Sequence, residues 1–147
     1  MSVRIRNIEK SDRATWEPLW KGYQFFYKVE LPDSVTDTTW ERFFDPNEPV
    51  HCLVAEDEKN LMGIVHYIFH RNTWMTGPVC YLQDLFTSEA ARGQGVGRKL
   101  IESVYDKAKE AGSPRVYWMT HETNTQAMIL YDKVAEKSGF LQYRKQI

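Results

Sequence analysis

Apolar and polar residues alternate over residues 3–8, and that alternation predicts a first strand. Ser11 and Asp12 can start a helix, and Trp16, Leu19, Trp20 and Tyr23 follow at helical spacing, so a helix laid over a sheet is expected next. Residues 23–40 are aromatic-rich but broken by Pro32 and turn residues, which reads as a loop or a short second helix. Residues 40–44 suggest a further short helix stopped by Asp45, Pro46 and Asn47. Two apolar runs, 51–55 and 61–69, flank the polar stretch 56–60 and predict a hairpin. A third run, 79–86, is a strand leading into a glycine-rich stretch. Leu100, Ile101, Val104, Tyr105, Ala108 and Ala111 then recur at helical spacing until Gly112 and Pro114 stop the helix. A strand over 115–120 follows, and then a helix over about 123–138 carrying Ala127, Leu130, Tyr131 and Val134 on one stripe. Gly139 ends it and residues 140–145 make a final strand. Strands and helices in this order predict an α/β fold, a mixed central sheet flanked by helices, in one domain over 1–147.

The totals narrow the chemistry. The chain has 147 residues, long enough to bury a core without metal or disulfide help. A net charge of −1 gives no field for nucleic acid or an anionic membrane surface, so neither is expected as a partner. No apolar run approaches ~20 residues and the first residues lack an apolar signal core, so a soluble, cytoplasmic protein is expected. Cys52 and Cys80 both sit in apolar strand contexts and read as buried reduced thiols, and no Cys–His spacing suits a metal. Aromatic residues reach 14%, many of them before residue 45. Among these, Phe25, Phe26 and Tyr27 either pack on the sheet or, with Tyr23, form an aromatic wall for an amine.

The strand–glycine–helix junction carries the clearest chemistry. Arg92, Gly93, Gln94, Gly95, Val96, Gly97 and Arg98 leave the backbone bare at alternate positions, so several N–H groups can converge on an anion at the positive end of the following helix. The glycine spacing and its distance from the strand do not match a dinucleotide fingerprint, and no Gly-Lys-Ser or Gly-Lys-Thr follows as a Walker loop requires. The pattern Arg92-x-x-Gly95-x-Gly97 resembles the pyrophosphate loop of the Gcn5-related N-acetyltransferase (GNAT) superfamily. Asn124-x-x-Ala127-x-x-Leu130-Tyr131 on the last helix, together with the element order, extends that resemblance over the whole chain. Residues 19–27, 44–47 and 116–118, with Glu122 and Asn124, are similar to the yeast histone and polyamine acetyltransferase group.

The resemblance implies an acetyl-CoA-dependent N-acetyltransferase acting on a primary amine: a small basic amine, an amino acid, or a lysine of a basic peptide. It places pantetheine amides on the backbone of Leu85, Phe86 and Thr87 and the pyrophosphate on residues 93–98, with Arg92 beside it. Asn124 and Ala127 complete the cofactor contacts. Tyr131 aligns with the tyrosine that protonates the leaving thiolate. Tyr23, Phe26, Tyr27, Gln83 and His121 are the candidate acceptor contacts, and an excess of acidic residues over 30–45 suits a cationic acceptor.

Two departures stand out. Many members carry a glutamate base on the fourth strand where this chain has Gln83, which leaves Asp84, His121, Glu122 or water to take the amine proton. Seven residues separate Tyr131 from Gly139, about one helical turn of ~3.6 more than the family pattern. A final strand at a sheet edge implies a homodimer. A non-catalytic acyl-CoA-binding module is the alternative reading.

Overall fold

The computed structural model describes residues 2–58 and 60–147. Strand β1 (Arg4–Asn7) is followed by a single 3-10 turn and helix α1 (Arg13–Phe26), then by helix α2 (Asp33–Arg42). Strands β2 (Val50–Glu56) and β3 (Leu61–His70) form the expected hairpin. Strand β4 (Val79–Thr87), a second 3-10 turn, helix α3 (Val96–Glu110), strand β5 (Val116–Tyr117) and helix α4 (Thr125–Val134) complete the chain. The five strands lie in sequence order, antiparallel from β1 to β4 and parallel between β4 and β5, so the sheet is mixed.

Each face of the sheet has its own core. On one, Leu53, Val65, Tyr67, Cys80 and Leu82 pack against Leu100, Ile101 and Val104 of α3. Those three α3 residues are fully buried, and each contributes roughly 1.5–3 kcal/mol by burial. On the other face, Cys52, Val54 and Ile64 meet Trp16, Leu19 and Trp20 of α1, with Trp40, Phe43 and Phe44 closing the edge.

Three sequence expectations change. The aromatic stretch after Tyr23 begins as the last turn of α1, and Phe25 is 86% exposed rather than packed on the sheet. The fifth strand is two residues long. The final helix stops at Val134, not near residue 138, and no strand forms over 140–145. Val134 is the last residue of the partly buried stripe that packs on the α3 core, and its carbonyl accepts a hydrogen bond from the Tyr105 hydroxyl at 2.8 Å. That bond competes for the acceptor the next helical turn would need, and no further apolar face follows to hold that turn down. Residues 135–147 form an exposed tail without regular secondary structure, with Phe140, Leu141, Tyr143 and Ile147 all above 80% exposure.

Candidate active site

A cleft of about 580 Å³ opens where β4 and β5 part, lined by Tyr23, Tyr27, Leu82, Gln83, Asp84, Trp118 and Tyr131, among others. The parting follows from the short pairing. Among the described residues only Cys80 and Tyr81 of β4 pair with β5, which leaves Leu82 to Thr87 without a paired strand on that side. Backbone amides and carbonyls there face the gap. Leu85 lines the cleft, and Phe86 and Thr87 continue the same open edge.

A bulge sets what β4 presents. His66 stands opposite Asp84 while Tyr67 stands opposite Leu82, which makes Gln83 an extra residue on β4. Leu82 and Leu85 belong to the α3 core and Phe86 to the α1 core, so side-chain alternation changes phase between 82 and 85. Gln83 and Asp84 are thereby both turned to the α1 side, and both reach the cleft.

Asp84 is 7% exposed, and its Oδ2 lies 2.9 Å from His66 Nδ1. His66 Nε2 in turn is 3.1 Å from the indole Nε1 of Trp16, itself completely buried. Neither His66 nor Trp16 is among the expected site residues. The one signal in the sequence is a lone histidine in the apolar run of β3. Around the carboxylate stand three phenols. Burial first, then the Asp84 charge, raises Tyr23, Tyr27 and Tyr81 above the usual tyrosine range.

Tyr131 reaches the same cleft from α4, its ring edge-on to Trp118 at 5.5 Å between centroids. Burial, with a smaller contribution from Tyr27, pushes its hydroxyl up to about 12. His121 lines the cleft as well, but Glu122 is exposed in the adjoining turn and Phe26 is half exposed at the end of α1, and neither is part of the lining. Asn124 sits immediately before α4 and donates from Nδ2 to Thr120 Oγ1 at 3.2 Å, and Ala127 is half buried one turn on.

The N-terminus of α3 lies just past β4. Gly93 and Gly95 have φ of +81° and +77°, the left-handed region where a side chain strains the backbone, and open space lies where a Cβ would stand. The first N–H inside the helix to find a partner is that of Lys99, bonded to the Gly95 carbonyl, so those of Val96, Gly97 and Arg98 are not used by the helix ladder. No acidic side chain occupies this first turn. Bare amides, the positive end of a 15-residue helix and a glycine approach suit a pyrophosphate. Arg92 is exposed at the loop's start. Among the described residues, no cluster of His, Cys, Asp or Glu could hold a metal ion, and no helix is long and apolar enough to cross a membrane.

Residues 14–135 match the model of the acetyltransferase (GNAT) family. The chain belongs to that family. It is an acetyl-CoA-dependent N-acetyltransferase. It is 42% identical over 145 residues to the D-amino-acid N-acetyltransferase HPA3 of Saccharomyces cerevisiae, covering 97% of this chain and 90% of that protein. It is 28% identical to the thialysine N-epsilon-acetyltransferase of Mus musculus, over 97% of this chain and 92% of that one. Among solved structures, AAC(6')-Iy in complex with a CoA-linked bisubstrate analogue superposes with a TM-score of 0.85 at 20% identity, over the full length of both chains. These matches give the GNAT fold expected from the sequence.

Proposed function

We propose that this single domain acetylates the primary amine of a free amino acid or a similarly small amine, with Asp84 as the base that receives the amine proton. The observation that carries this reading is the buried carboxylate at the bottom of the cleft, ringed by Tyr23, Tyr27 and Tyr81. A negative charge inside an aromatic ring suits an arriving ammonium, and the same carboxylate is placed to take its proton. Asp84 is preferred over Glu122 because Glu122 does not line the cleft. Gln83 and His121 at the walls orient the acceptor, and Arg144 at the rim offers a cation to the carboxylate of an amino acid. The yeast relative's activity as a D-amino-acid N-acetyltransferase points the same way.

Acetyl-CoA supplies the acetyl group as a thioester, which the amine attacks directly. The open β4 edge at Leu85, Phe86 and Thr87 receives the pantetheine arm, Asn124 and Ala127 flank it from α4, and residues 93–98 hold the pyrophosphate with Arg92 alongside. Tyr131 donates its hydroxyl proton as a hydrogen bond to the departing sulfur.

The working form is a homodimer in the cytoplasm. Exposed apolar side chains on the tail, beside a sheet edge where β5 pairs over only two residues, call for a covering surface, and a second copy supplies one. Both cysteines are free, which suits a reducing compartment. Light scattering of the full chain should give twice the monomer mass.

The deciding experiment is a thiol-release screen with acetyl-CoA over L- and D-amino acids, polyamines, aminoglycosides and a basic peptide. Release that depends on free amino acids is expected. Release only with polyamines or the peptide overturns the acceptor, and no release with any amine favours an acyl-CoA-binding module.

A further inference from the structure

Asp84 does not stand alone in the sheet. It is directly opposite His66 in the β3–β4 register, and the imidazole is enclosed by Trp16, Trp20 and Phe43 at centroid distances of 5.9, 5.0 and 5.0 Å. An indole N–H can only donate, so at 3.1 Å from Trp16 Nε1 the Nε2 of His66 must be an acceptor carrying no proton. The ring's one proton is then on Nδ1, aimed at Asp84 Oδ2 at 2.9 Å. We propose that Trp16 and His66 are positioning residues: the buried indole selects the Nδ1–H tautomer of His66, which clamps one oxygen of Asp84 and leaves the other to face the acceptor amine.

The chain of two hydrogen bonds does something a charged partner would not. A guanidinium or imidazolium against Asp84 would hold the carboxylate equally well but would stabilise its anion and weaken it as a base. A neutral N–H donor restrains rotation about the Cβ–Cγ bond without setting a positive charge beside the carboxylate. Burial makes the choice stable, because reversing the tautomer would set two N–H groups against each other at Trp16 and a ring lone pair against the carboxylate at Asp84. Among the described residues, no other makes a hydrogen bond to either ring nitrogen. The inference rests on Asp84 being the base, and its test has a readout that does not depend on turnover.

That readout is the ring ¹⁵N spectrum of the wild-type chain at pH 7.5, with His66 assigned among the four histidines by its loss in His66→Gln. A pyrrole-type Nδ1 and a pyridine-type Nε2 are expected for His66. A pyrrole-type Nε2, or two protonated nitrogens, overturns the proposal without any variant having to fold. Trp16→Phe keeps an aromatic ring in the core and deletes the donor. It should change the His66 nitrogen pattern and lower kcat by about 10²-fold, the scale expected from misplacing a reacting group, while the KM for acetyl-CoA stays within about twofold. His66→Gln, which still carries an N–H donor, should retain more kcat than His66→Leu. Wild-type kcat in a folded Trp16→Phe protein overturns the positioning role. Wild-type turnover in Asp84→Asn overturns the base instead, and leaves the tautomer assignment standing.

Discussion

Tyr131→Phe removes one hydroxyl and keeps the ring that meets Trp118 edge-on, so it separates chemistry from packing. The size of its effect follows from the site. Burial holds the hydroxyl at about 12, about 3.5 pKa units above an ordinary thiol at about 8.5, so complete proton transfer to the leaving sulfur runs uphill by about 5 kcal/mol. What the hydroxyl can give is a hydrogen bond that strengthens as charge develops on sulfur, worth about 1.5–3 kcal/mol for a charged acceptor. At 1.36 kcal/mol per decade that is a loss of about 10- to 200-fold in kcat, mostly below the 10²–10⁴ range for loss of a full general acid. The assay is steady-state thiol release with an amino acid acceptor from about pH 6.5 to 9, beside a CoA binding isotherm and a melting curve. A group at about 12 does not titrate in that window, so the ratio of wild-type to variant kcat should be flat with pH, and CoA affinity should not change. A loss beyond about 10³-fold, or a ratio that falls as pH rises towards 9, would refute the hydrogen-bond argument and restore full transfer. No loss at all would make Tyr131 a packing residue.

Asp84→Asn keeps the shape and still accepts from His66 Nδ1, but cannot take a proton. Its kcat/KM should fall by about 10²–10⁴ at pH 7.5 and recover as the pH approaches the amine's own pKa, about 10.4 for a lysine-like acceptor, where the amine arrives deprotonated; a defect that does not narrow would point to lost binding alone. Gly97→Ala adds a Cβ that meets Leu130 Cδ2 at 3.5 Å and Thr87 Cγ2 at 4.0 Å, ordinary van der Waals contacts inside a helix that gains about 1 kcal/mol from alanine, so Tm should hold or rise. The same methyl stands at the helix entry and should weaken acetyl-CoA binding by about tenfold, ~1.4 kcal/mol, whereas Gly95→Ala should also cost about 1–2 kcal/mol of backbone strain at φ +77°; calorimetric titration and melting separate the two. The Arg6 guanidinium, 2.8 Å from Asp12, holds that carboxyl below the usual carboxylate range, so the pair stabilises the fold above about pH 4 and is lost as pH falls through the lowered value. Asp12→Asn should therefore lower Tm at pH 7 and shrink the Tm difference from wild type below about pH 3.

Local pattern was enough for the hairpin, the α3 helix and the glycine entry, because each is written in a few adjacent residues: an apolar run on each side of a polar turn, a stripe at helical spacing, three glycines before it. Tyr131 on its stripe and Asp84 beside Gln83 were legible for the same reason, helped by the family pattern. The tail was misread because an apolar and aromatic segment after a glycine can be a strand, while pairing needs a neighbour, and among the described residues no strand pairs with it there. The choice of base was likewise open in the sequence, with Asp84, His121, Glu122 or water to take the amine proton. A bulge at Gln83 turns Asp84 to the α1 side, opposite a histidine 18 positions earlier and beneath a tryptophan 50 positions from that histidine, and the proposal of Asp84 as the base is built on that placement. Such a contact depends on strand register and on how a helix lies across the sheet, and both are set only when the two cores close together. The chemical groups were readable from the chain; their orientation belonged to the packing.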